Sequence, residues 1–333
     1  MAADAFNLHH RAAVTLSSLS SLAAPVVVIG AGAAGISAAL WLHDRRVPFR
    51  WLEASERIGG TLLRVGNPID ELIGFHAEDG PTLVTQLQAQ LTRHALEPRF
   101  AHRVLEMIPG EAEVQLVVQT PHTRETWVAS AVIVATGTSP RMLGVAGERE
   151  LLERGVEISV NRRRGSYRDR PVAIIGGGDA ALEGALLLAE VTADITLIHR
   201  RAEFRAQRRF VDAVRSHPTI RILHDEVRAL DASEHPEGPR LRGLHLLSGE
   251  YVRADGVFVR LGVAPRFPAG LVEDASACAH RPLPDDGFSR TGIPRVYAAG
   301  DVAASWYQSV SWCAGSAARA VATLCVDLGI VSR

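Results

Sequence analysis

Gly30, Gly32 and Gly35 form a Gly-x-Gly-x-x-Gly loop directly after the apolar run Val26–Ile29. Gly176, Gly178 and Ala181 repeat the pattern after Val172–Ile175, with alanine in the third place. In such a loop the first glycine makes the tight turn and the second lets a pyrophosphate approach the backbone. The third lets the following helix press against the strand. The helix start, Ala33 and Ala34 in one loop and Asp179 and Ala180 in the other, presents free N–H groups and the positive dipole end to phosphate. At the same distance past each first glycine the two loops differ: Glu53 stands in one and His199, followed by Arg200 and Arg201, in the other. A carboxylate accepts from the hydroxyls of an unphosphorylated ribose. His199, Arg200 and Arg201, with Arg205 close behind, suit a 2′-phosphate. One loop therefore reads as an FAD site and the other as an NADPH site, which points to electron transfer from nicotinamide to flavin.

The elements that must hold these loops are legible. Val26–Ile29 and Val172–Ile175 are unbroken apolar runs, as expected of parallel strands buried on both faces. Helical patterns cover 33–43, 81–94, 180–191 and 314–328, and further strands are expected at 47–52, 114–118, 126–128, 131–135, 195–198, 241–247, 251–252, 256–259 and 296–301. Each glycine-loop unit is followed by a β-rich stretch that leaves through Gly-x-x-Pro-Arg, at Gly137–Arg141 and again at Gly262–Arg266, a sign of internal duplication. The tail has no dinucleotide fingerprint and is expected to complete the first domain.

The bulk numbers narrow the class. The chain has 333 residues, 47% of them apolar, and a net charge of −1. Two domains are expected, with neither nucleic acid nor a membrane as partner. There is no lysine, which removes Schiff-base chemistry and the P-loop. Cys278, Cys313 and Cys325 form no C-x-x-C and no disulfide scaffold, which suits a reducing, cytoplasmic setting. No metal cluster is expected. Residues 1–24, including the faintly signal-like 11–24, read as an N-terminal extension.

With Glu53, Gly59-Gly60-Thr61-Leu62, Ala135-Thr136-Gly137, the sequence from His199 to Arg205 and Ala298-Ala299-Gly300-Asp301-Val302 added to the two loops, the chain resembles the thioredoxin-reductase-like branch of the two-dinucleotide-binding flavoproteins. The resemblance spans nearly the whole chain. It implies an α/β fold of two Rossmann-like dinucleotide-binding domains, each a three-layer ββα arrangement. The NADPH domain (143–270) is inserted into a discontinuous FAD domain (25–142 and 271–333). It implies FAD and NADPH as cofactors and a homodimer. It also implies that Gly60, Thr61 and Leu62 pass near the flavin, that Asp301 binds the ribityl or pyrophosphate part of FAD, and that Ala135, Thr136, Gly137 and Gly300 belong to the cofactor site.

One departure changes the functional expectation. Where the resemblance places a redox C-x-x-C, this chain has Ser159-Val160-Asn161-Arg162. Serine and arginine cannot attack a disulfide. The expectation is an NADPH-dependent flavoprotein oxidoreductase with an unidentified acceptor, a small molecule or a ferredoxin-like protein. A ferredoxin-NADP reductase-like enzyme and a non-catalytic FAD/NADPH-binding protein in a larger assembly stand as alternatives. Arg162, Arg163, Arg164, Arg168 and Arg170 could form a patch for an acidic partner, although a solvated loop is the stronger reading. His76 is a weak candidate for proton transfer, Asn67-Pro68 reads as a turn, and Trp306, Tyr307 and Trp312 read as packing residues.

Overall fold

The computed structural model describes residues 22–70, 72–271, 281–304 and 308–330. Trp306, Tyr307, Cys278 and most of the N-terminal extension lie outside these. The chain forms two compact units, one up to Thr138 and again from Ala264, the other Ser139–Val263.

In the first unit, strand β1 (Val26–Ile29) runs through the Gly30 loop into helix α1 (Ala33–Asp44) and strand β2 (Phe49–Leu52). Helix α2 (Gly80–Arg93) and an antiparallel meander of β3 (Arg103–Pro109), β4 (Val114–Gln119) and β5 (Arg124–Ala129) lead to β6 (Ala131–Val134). β2 and β6 flank β1, all parallel. Alternation in β1 sets the layers. Val26 and Val28 face α1 and the C-terminal helix, with Ala38, Ala317 and Leu324. Val27 and Ile29 face the meander, with Met107, Leu116 and Trp127. This is why the run is apolar at every position: both faces are covered.

The second unit repeats the plan. Strand β7 (Val156–Glu157) lies at the edge, and β8 (Val172–Ile175) runs through the Gly176 loop into α3 (Asp179–Ala189) and β9 (Ile195–Ile198). Helix α4 (Arg208–Ser216) and β10 (Ile220–Leu223) follow. The meander is β11 (Val227–Ser233), β12 (Arg240–Leu246) and β13 (Tyr251–Arg253), and β14 (Gly256–Val259) returns to the sheet. The parallel order is β10-β9-β8-β14-β7. Val172 and Ile174 face helices, whereas Ala173 and Ile175 face the meander. Each unit is thus helix, parallel sheet and antiparallel sheet, the expected ββα layering.

The chain then re-enters the first unit. Strand β15 (Val296–Ala298) joins β6 in parallel, and helix α5 (Val310–Asp327) packs its Ala317, Ala320 and Val321 against the small residues of α1. Helix α5 begins at Val310 rather than Ala314, because the Ser309 hydroxyl accepts the Trp312 N–H. The unit boundaries fall at 138/139 and 263/264, not 142/143 and 270/271. Phe267 and Leu271 belong to the core of the first unit, and Ala269 exchanges backbone hydrogen bonds with Leu105 and Met107. Leu143 packs on the core of the second. Strands β3, β10 and β11 and helix α4 had no clear sequence pattern.

Phe258 on β14 is fully buried and meets Tyr167 edge-on at 5.3 Å. Phe258→Ala is expected to cost about 3–5 kcal/mol in denaturant unfolding. An unchanged midpoint would contradict the packing described.

Candidate functional site

In the first unit, four loops meet at the carboxyl ends of the parallel strands. Gly30 has φ 106°, and a β-carbon there would lie 2.4 Å from the carbonyl oxygen of Ala135. A β-carbon on Gly35 would lie 1.8 Å from the carbonyl oxygen of Gly30. Gly32, by contrast, has room: a β-carbon there would meet nothing within 4 Å. It begins α1, and no side chain caps that helix. The first and third glycines therefore close the backbone tightly, and the second leaves room at an uncapped helix start, as a phosphate group requires.

Glu53, at the end of β2, accepts the Ala31 N–H at 2.7 Å through Oε2. Its Oε1 accepts the Ser55 N–H and hydroxyl at 2.7 and 2.8 Å. The carboxylate thus clasps the glycine loop as well as presenting acceptor capacity beside it. The Gly59 N–H donates to the Ala31 carbonyl, so Gly59-Gly60 lies on the same loop. Thr61 is exposed. Leu62 turns its side chain into a small core with Ile69, Ala77 and Leu83, which limits it to backbone contact with any ligand. Ala135 is buried at the end of β6 and donates its N–H to Ile29. Thr136 donates its hydroxyl to Arg266 O, and Gly137 accepts the Arg266 N–H.

Gly300 packs against Ala34, where its β-carbon would lie 2.7 Å from that side chain. Asp301 follows, and its one side-chain hydrogen-bond partner among the described residues is the Cys313 thiol, Sγ–Oδ1 3.4 Å. Burial pushes the Asp301 carboxyl above the ordinary range, the thiol acting the other way. Burial and the adjacent carboxylate push the Cys313 thiol up, so it is no reactive thiolate. A half-buried carboxylate with one weak partner has acceptor capacity to spare for a hydroxyl-rich ligand. These features fit a flavin dinucleotide.

The second unit offers the same frame with opposite charge. Gly178 begins α3 with no side-chain cap, and a β-carbon there would meet nothing within 4 Å, the counterpart of Gly32. Arg200, Arg201 and Arg205 are exposed and make no ion pair among the described residues. The Arg205 N–H donates to Gly177 O at 2.8 Å. The Asp179 carboxylate accepts from the backbone and amide of Gln207 at 2.6 and 2.8 Å. This clamps the arginine segment to the glycine loop. Asp179 therefore acts as a positioning residue.

His199 does not join the arginines. Its ring lies under Gly177, where a β-carbon would come within 2.3 Å of it, and stacks on Phe204 at 5.3 Å. Nε2 donates to Glu203 O at 3.1 Å. The side chain is buried, and burial lowers its pKa, which Arg201 and Arg205 lower further and the Glu203 carbonyl raises. The reading of His199 as part of the 2′-phosphate cluster is thus corrected: the arginines are exposed, whereas His199 is buried beside Gly177, where its charged form is disfavoured. The signal was Gly177, an extra glycine that makes room for the ring.

Other expectations fared unevenly. Arg163 pairs with buried Glu157 at 3.1 Å, Arg164 with Glu190 at 2.5 Å and Arg170 with Asp255 at 2.9 Å. The five-arginine run is therefore largely neutralised and is not a free cationic patch. His76 pairs with Asp70 at 2.5 Å on an exposed loop, and nothing around it marks a catalytic base. Trp312 sits in the first turn of α5 under the Arg319 guanidinium at 5.6 Å. Among the described residues no cluster of three metal-ligating side chains is found, and no helix is long and apolar enough to cross a membrane.

Protonating buried His199 opposes folding, since the unfolded chain takes up the proton more readily. The sign follows: its contribution is full above about pH 6.5 and is lost as pH falls toward the lower folded value. His199→Gln, which keeps a donor for Glu203 O, is expected to lose less thermal stability than the parent between about pH 6.5 and pH 5. Equal acid-side losses would show that His199 is not held neutral.

Residues 24–317 match the sequence family described as pyridine nucleotide-disulphide oxidoreductase. The chain is 31% identical over 316 residues to a thioredoxin reductase of Mycolicibacterium smegmatis, covering 91% of this chain and 96% of the relative. It is 32% identical over 304 residues to a bifunctional thioredoxin reductase/thioredoxin of Mycobacterium leprae, covering 89% of this chain and 64% of that one. The fold matches that of Lactococcus lactis thioredoxin reductase with a TM-score of 0.74 at 23% identity, over 92% and 99% of the two chains.

Proposed function

The chain belongs to the pyridine nucleotide-disulphide oxidoreductase family, and we propose that it is an FAD-dependent oxidoreductase that takes electrons from NADPH and passes them on without a cysteine dithiol. Thioredoxin-reductase-like proteins use FAD and NADPH, and together these cofactors supply electron transfer from nicotinamide to flavin. In this reading the first unit holds FAD. Gly32, Ala33, Ala34 and Gly35 receive its pyrophosphate, Glu53 the adenosine ribose and Asp301 the polyol chain. Gly60, Thr61, Leu62, Ala135, Thr136, Gly137 and Gly300 shape the walls. The second unit holds NADPH, with Gly176, Gly178, Asp179 and Ala180 forming the phosphate turn and Arg200, Arg201 and Arg205 facing the 2′-phosphate.

The single supporting observation is the matched pair of open helix starts, Gly32 and Gly178, with Glu53 beside one and, beside the other, arginines that make no ion pair among the described residues. The chain carries no C-x-x-C, so no thiol pair of this kind relays electrons within it. The acceptor is read as a small molecule or a ferredoxin-like protein that is reduced directly. The likeness to thioredoxin reductases also supports a homodimer in the cytoplasm.

Arg200→Ala with Arg201→Ala tests the assignment of the second unit. Loss of charge-assisted contacts of about 1–3 kcal/mol raises the Michaelis constant for NADPH roughly five- to 150-fold. NADH is expected to be nearly unaffected. Equal effects on the two nucleotides would refute the 2′-phosphate role.

A further inference from the structure

Arg260 follows the last residue of β14 and lies at the carboxyl end of the parallel sheet in the second unit. β14 and β9 flank β8 on opposite sides, and the chain reaches them by different connections. The β8–β14 boundary is thus where the winding of the sheet reverses, and ligands of open α/β sheets bind in the crevice outside the strand ends there. The Gly176 loop forms one wall of that crevice. The Arg260 backbone forms the other: its N–H donates to Ile175 O at 2.8 Å, and a β-carbon on Gly176 would lie 2.4 Å from its carbonyl oxygen.

The Arg260 side chain is half-buried and has no carboxylate within ion-pairing distance among the described residues. Nη1 donates to Ile158 O at 2.9 Å and Nε donates to Ala180 O at 3.3 Å. Ala180 lies in the first turn of α3, directly behind the open Gly178 start. Two of the five guanidinium N–H donors are used, so three remain, on a rigid fork fixed beside the phosphate turn. A partly buried cation without a counter-ion calls for an anion. Glu183 acts on it only at longer range.

We infer that Arg260 binds the pyrophosphate of the pyridine nucleotide and so anchors the part shared by NADPH and NADH, while Arg200 and Arg201 discriminate between them. This rests on the reading of the second unit as the nucleotide site. It assigns separate tasks to separate arginines. The strand-end residue grips the diphosphate from the β14 side and the Gly176 loop receives it from the β8 side. Neither sequence spacing nor the glycine motif indicated this, because Arg260 lies far along the chain from the loop it faces.

The test is calorimetric titration of the full-length protein and of Arg260→Met, which keeps an apolar stem of similar length. The probes are NADP⁺, NAD⁺ and adenosine 2′-monophosphate, which carries the ribose phosphate without a pyrophosphate. Arg260→Met is expected to weaken NADP⁺ and NAD⁺ by the same factor, about tenfold, and to leave adenosine 2′-monophosphate unchanged. Arg260→Lys, which keeps the charge, is expected to recover part of the loss at low salt. Unchanged binding of both dinucleotides to Arg260→Met overturns the inference. Equal loss of all three probes also overturns it, because Arg260 would then only hold the fold of the loop. If the parent protein binds neither dinucleotide, the assignment of the whole unit fails and not this residue alone.

Discussion

The contact between Gly35 and the Gly30 carbonyl governs the first unit. With no side chain at position 35, helix α1 can begin against the end of β1, and Gly30 can turn under the Ala135 carbonyl. Everything that faces the proposed FAD follows from that closeness. The open Gly32 start is held where Gly59-Gly60, Ala135 and Gly300-Asp301 also arrive, and Glu53 fastens the loop from β2. The second unit solves the same problem with Ala181 in the third place. There the close approaches are between Gly176 and the Arg260 carbonyl, and between Gly177 and the His199 ring.

Electrostatics then separates two sites that share a backbone plan. In the first, the polar groups are acceptors: Glu53, and half-buried Asp301 with one weak partner among the described residues. In the second they are donors, the exposed Arg200, Arg201 and Arg205 and the half-buried Arg260. His199 stays out of that set for a physical reason. Burial under Gly177 disfavours its charged form, and neighbouring arginines disfavour it further, so it supports the segment by stacking.

Much of this was legible before any coordinates. Strands β1 and β8 are short and uninterrupted in apolar character, and glycine spacing after them admits few readings. Glu53 and Arg200 could be found because they follow from a fixed offset along one βαβ unit. What escaped depends on contacts between distant residues. The Asp179 carboxylate gave no sign that it would fasten Gln207 to the glycine loop. The packing of the Leu62 side chain into a core with Leu83 was likewise not legible. The arginine run from Arg162 read first as a solvated loop, and its pairing with Glu157, Glu190 and Asp255 could not be seen along the chain. The unit boundary near 270 shifted because Phe267 packs in the core of the first unit and Ala269 hydrogen-bonds to Leu105 and Met107, which no local composition announces.

The most direct test is anaerobic addition of NADPH to the protein loaded with FAD, followed through the visible absorbance of the flavin in a stopped-flow instrument. The account predicts a saturable, rapid bleaching with NADPH and a colour that returns only when an oxidant is supplied. A protein that retains no flavin, or one whose colour persists unchanged in excess NADPH, would contradict it.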